Sequence, residues 1–65
     1  MEVIERRYIQ DLYKTEIYKS DLYYIYLTDL KTNIKLEIGR YYICDFDEAF
    51  EQFLTLKIVK DEESL

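Results

Sequence analysis

The residues able to do chemistry in this chain are few, and most of them are carboxylates. Asp45, Asp47, Glu48 and Glu51 place four carboxylates within seven positions. Such a group can hold a divalent cation, act as an acid–base pair, or cap a helix. A calcium loop needs more oxygen ligands and a glycine at a fixed place, and neither is present. Acid–base work needs a cleft and a raised pKa, and a chain of 65 residues without glycine-rich loops has little room for one. Capping accounts for Asp45, with Glu48 three residues on completing a capping-box pattern. Cys44 is the only cysteine, and the chain has no histidine. The usual activating base for a thiol is therefore missing, and Cys44 reads as a small buried hydrophobe. Common zinc sites are excluded on the same grounds. No catalytic residue, metal ligand or cofactor site is expected, and the chain reads as a binder, not an enzyme.

The second candidate group is aromatic. Eight of the residues are tyrosines, and aromatics make up 17% of the chain. Interfaces enrich tyrosine, and Tyr24, Tyr26, Tyr41 and Tyr42 are the candidates for a recognition patch.

The elements that must position these groups follow from periodicity. From Asp45, the spacing of Phe46, Ala49, Phe50, Phe53 and Leu54 makes one apolar stripe and predicts a helix to about Thr55. Leu56–Lys60 can extend it or form an edge strand, and 61–65 reads as an acidic tail. Upstream, Leu22–Thr28 is rich in strand-forming residues. Asp29–Asn33 carries turn chemistry. Ile34–Ile38 alternates apolar and charged residues, so Ile34, Leu36 and Ile38 should share a buried face. Gly39 ends or kinks that strand. Residues 12–18 read as a further strand with a turn at Lys19–Asp21, while 3–10 fits helix or strand. The strand around Tyr24 has no polar side, so a single helix leaves Tyr24 and Tyr26 to be covered by something else.

A tyrosine recurs every five residues at Tyr8, Tyr13, Tyr18 and Tyr23. With Asp11-Leu12, Glu16-Ile17 and Asp21-Leu22 the echo resembles the pentapeptide-repeat family, which implies a β-helix. The bulky tyrosine after each Leu or Ile departs from that pattern, and the echo is too short for the stacked coils such an array needs. Chance or local duplication is the better account.

These elements predict an α+β fold: a small antiparallel sheet of three or four strands with one C-terminal amphipathic helix on one face. Residues 1–60 form a single domain. Too short for a large core and without a disulfide, it must lean on its aromatics or on oligomerisation.

Charge is uneven. Residues 1–44 carry seven acids and seven bases, whereas 45–65 carry seven acids and two bases, so the whole net charge of −5 lies in the last third. Concentrated negative charge disfavours direct nucleic-acid binding and favours a basic protein surface. The expected function is a small inhibitor or regulator that presents its acidic helix to such a surface. In general character it resembles the acidic proteins that phages and mobile elements use against host defence, anti-CRISPR proteins and DNA mimics, though no residue motif carries the likeness. The alternatives are a homodimeric module built on the tyrosine face and an acidic antitoxin or adaptor. No membrane segment is legible, and a cytoplasmic setting is expected.

Overall fold

The computed structural model describes residues 2–56. The tail at 61–65, and the element expected after Leu56, lie outside them. Four strands, β1 (Glu2–Ile9), β2 (Tyr13–Lys19), β3 (Tyr23–Asp29) and β4 (Lys35–Tyr41), are followed by a 3₁₀ turn (Ile43–Asp45) and helix α1 (Phe46–Thr55). The strands form one antiparallel sheet in the order β1-β2-β3-β4, with α1 packed on one face. The fold is α+β, as expected.

Each connection has a local cause. Gln10 and Asp11 both take left-handed backbone angles, and the Leu12 amide donates to the Ile9 carbonyl at 3.0 Å. A left-handed turn matches the natural twist of paired strands, and residues 3–10 resolve as strand over 3–9 with Gln10 in the turn. The second turn closes at Ser20, whose amide donates to the Leu22 carbonyl at 2.8 Å. In the third, Asp29 Oδ1 accepts from the amides of Lys31 and Thr32 at 2.8 and 3.3 Å. Asn33 takes the left-handed position there, which asparagine tolerates.

The core lies between α1 and the middle of the sheet. Ile17, Tyr23, Ile25, Ala49 and Phe53 are buried, with Ile4, Ile38, Tyr41, Phe46 and Phe50 packed around them. A fully buried side chain such as Phe53 contributes about 1.5–3 kcal/mol. The period-five tyrosines are dispersed by this arrangement. Tyr8 and Tyr18 lie on the open face and Tyr13 and Tyr23 on the helix side, because an odd spacing changes face in a strand. No β-helix forms.

Four expectations need correction. Ile34 and Leu36 do sit on the helix side, but 58% and 59% exposed. A helix of ten residues spans about 15 Å and a strand of seven about 23 Å, so α1 cannot cover the whole face. Leu54 lies about 100° around the helix from buried Phe53, at the margin of the stripe, and is 51% exposed. Cys44 is exposed, not buried, because it sits in the 3₁₀ turn outside the core. Asp45 occupies the N-cap position, but its side chain makes no capping bond. The preceding 3₁₀ turn already curves the chain, so Asp45 lacks the extended geometry of a capping residue.

Candidate functional site

The structure places most of the candidate residues on two opposite surfaces. Asp47, Glu48 and Glu51 are exposed on α1, away from the sheet, and Asp45 is half-buried at its start. Asp47 and Glu48 fall in the first turn, where the helix dipole favours them. No basic residue lies in the last turn, and none of these acids joins an ion pair among the described residues. Among those residues no group of acids or cysteine is arranged to hold a metal ion.

The other surface is the face of the sheet opposite α1. Tyr24 and Tyr26 lie there, together with Tyr18 of the neighbouring strand. Tyr41 does not join them. It points to the helix side, where its hydroxyl donates to Gln52 Oε1. Tyr42, beyond the strand, is 69% exposed and stands apart.

What lies over the tyrosines is charge. The register puts Arg6, Lys14, Lys35 and Arg40 on this face, with Glu16 and Glu37 as its strand carboxylates, and Asp21 of the adjoining turn accepts from the Tyr24 hydroxyl at 2.9 Å. A bulge at Ile38 brings Glu37 and Arg40 to the same side, opposite Tyr26 and Tyr24. Lys35 Nζ rests 4.7 Å from the Tyr18 ring centre and 4.8 Å from that of Tyr26, and donates to the Tyr18 hydroxyl at 3.0 Å. The Arg40 guanidinium sits 5.5 Å from the Tyr24 ring centre and holds Glu37 through two bonds of 3.0 and 3.2 Å. Each such cation–ring contact contributes about 0.5–1 kcal/mol at an exposed site. The alkyl stems of these cations shield the rings, so the face is a charged lattice and not a bare apolar patch.

Glu16 anchors this lattice. It is only 3% exposed, accepts from Arg6 Nε at 2.8 Å and from the Tyr18 hydroxyl at 3.2 Å. Burial pushes its carboxyl up, but the bonds from Arg6 and Tyr18 and the nearby Lys14 charge outweigh that, and its pKa falls below the ordinary range. The same pair raises the Arg6 pKa. Arg6, Glu16, Lys35 and Arg40 were not sequence candidates. The alternation in Ile34–Ile38 did place Lys35 and Glu37 opposite the apolar side, which was the available signal.

The chain matches no family model, no curated protein and no solved structure. Its chemistry must therefore be read from the two surfaces themselves. Beside the acidic surface, the exposed Cys44 thiol donates to Asp45 Oδ1 at 3.8 Å. No described helix is long and apolar enough to cross a membrane.

Proposed function

We propose that this protein is a small protein-binding regulator or inhibitor, and that the outer surface of α1 meets a basic surface on its target. One observation supports this above the others: charge is segregated by face. Asp47, Glu48 and Glu51 are exposed on α1 without ion-pair partners among the described residues, while Arg6, Lys14, Lys35 and Arg40 gather on the opposite side of the sheet. An unneutralised acidic surface steers encounter with a basic one. A basic groove that otherwise takes nucleic-acid phosphates is the kind of target this reading favours, as for a DNA mimic or an anti-CRISPR protein.

The test compares three baits in a lysate of the source organism: the native chain, Glu48→Lys/Glu51→Lys, and Lys35→Glu/Arg40→Glu. The proposal expects partners that are lost with the first variant and at high salt but kept with the second. Partners retained by the helix variant would sink it. Circular dichroism must show both variants folded.

A second reading is self-association through the tyrosine face. In its favour, no described element covers that face. Against it, apposing two copies sets the surplus cations of one against those of the other, and like charges across an interface are costly.

A further inference from the structure

We infer that β4 is a self-complementary edge through which two copies join into one eight-stranded antiparallel sheet, with the twofold axis at Leu36. This is independent of the function proposed for α1.

The sheet has two edges, and they differ. β1 is blunted as natural edge strands usually are. It carries a bulge at Ile4, charged Glu5, Arg6 and Arg7, and the end of α1 held against it by Arg7. β4 also carries a bulge, at Ile38, and charges at Lys35 and Glu37, but its charges alternate in sign about Leu36 and no described helix end is tied to its first half. Lys35, Leu36 and Glu37 are all exposed. Ile34 and Leu36 flank an open hollow of about 220 Å³ that Tyr13 and Leu27 also line. Two large aliphatic side chains beside a strand backbone that no described element pairs form a template for another strand.

The occupant follows from charge and register. A twofold perpendicular to the sheet keeps the helices of both copies on the same side. Residues then pair so that each meets one of its own facing class. Centred on Lys35, the axis sets that lysine against its own copy. Centred on Glu37, it sets two carboxylates together. Like charges directly opposite destabilise a strand pair. Centred on Leu36, every opposed pair is favourable. Lys35 turns from the rings of Tyr18 and Tyr26 to meet Glu37 of the second copy, and the pair occurs twice. Leu36 meets Leu36. Ile34 meets Ile38, which packs against the core beside α1. The exposed aliphatics of one copy are thereby brought to the margin of the other's core. Glu37 keeps its bonds to Arg40 in this arrangement, since a carboxylate accepts at four lone-pair sites. An edge contact of this size is small for a permanent dimer, so the association is concentration-dependent.

The experiment is sedimentation equilibrium of the native chain, Lys35→Glu, Glu37→Lys, the double exchange Lys35→Glu/Glu37→Lys, and an equimolar mixture of the two single variants. The native chain is expected to dimerise at high micromolar concentration. Each single variant opposes like charges twice and should weaken dimerisation by roughly tenfold or more. The mixture and the double exchange should both recover it, although in both the Lys35→Glu chain still lacks the native contacts of Lys35 with the tyrosines. In parallel, Leu36→Cys on a Cys44→Ser background should oxidise to a covalent dimer faster than Lys35→Cys or Glu37→Cys on that background. Directly opposed residues lie about 4.5–5.5 Å apart, within disulfide reach. A native chain that stays monomeric, a mixture that fails to associate, or crosslinking that favours another position overturns the inference.

Discussion

Arg7 of β1 closes the end of α1: its Nη2 donates to the carbonyl of Leu56 at 2.6 Å. Its Nε also reaches the Phe53 carbonyl at 3.2 Å, and the guanidinium lies 6.0 Å from the Phe53 ring centre. The last carbonyls of a helix have no partner within it, and the negative end of the dipole favours a cation. A strand residue thus supplies what the last turn of α1 lacks, since that turn has no base of its own. Replacing Arg7 by methionine keeps most of the stem and removes the donors. The expected cost is about 1–2 kcal/mol, read as a lower urea midpoint with an unchanged slope.

Phe53 is fully buried where α1 meets the sheet. Phe53→Ala should destabilise the chain by about 3–5 kcal/mol. For a domain this small that approaches the whole stability, so the variant is expected to show a broad or absent thermal transition.

Glu16 makes the fold sensitive to acid. Its folded pKa is lowered, so the native state holds fewer protons than the unfolded chain as pH falls through the carboxylate range. The stabilisation is present above the unfolded pKa of about 4.3 and is lost progressively below it, down through the folded value. Glu16→Gln should cost about 1–2 kcal/mol at neutral pH and flatten the fall in stability between neutral and acid pH. Thermal midpoints of the two chains across that range check this. Parallel curves would remove Glu16 as the cause.

Gly39 lies under α1, and a Cβ there would meet Gln52 Oε1 at 2.9 Å. That oxygen accepts from Tyr41, and the Gln52 amide nitrogen donates to the Ile38 carbonyl at 3.4 Å. Gly39→Ala must push this side chain aside and should lose about 1 kcal/mol. In a Gln52→Ala background the same change should cost less, because nothing then has to move. A double-mutant cycle measures the difference directly.

The parts of the fold legible in advance were those decided by neighbours in sequence. Asp29 and Asn33 marked a turn because their side chains and backbone make one locally. Phe46, Ala49, Phe50 and Phe53 marked a helix face because their spacing is the helix's own. What could not be read depended on length and on distant partners. Ile34 and Leu36 alternate like core residues, and only the reach of α1 decides that they stay exposed. Asp45 has the right chemistry for a cap, but the 3₁₀ turn before it sets its backbone. The bulge at Ile38 left no mark beyond Gly39, yet it puts Arg40 over Tyr24 and brings Glu37 beside it. The candidate surfaces were half legible for the same reason. Acidity along a helix is a one-dimensional fact, whereas the lattice over Tyr18, Tyr24 and Tyr26 draws on three strands at once.

The strand order also bears on how the chain finds its structure. Every strand pairs with the one made just before it, so each hairpin closes over a short loop. Short loops close in tens of nanoseconds and hairpins form in microseconds, and topologies of local contacts fold fast. The sheet can therefore zip up from its first turn in the direction of synthesis. α1 is the last of the described elements, and until it docks, Ile17 and Ile25 face water on an unfinished sheet. The hazardous interval in this protein's life is the one between completing β4 and laying down the helix.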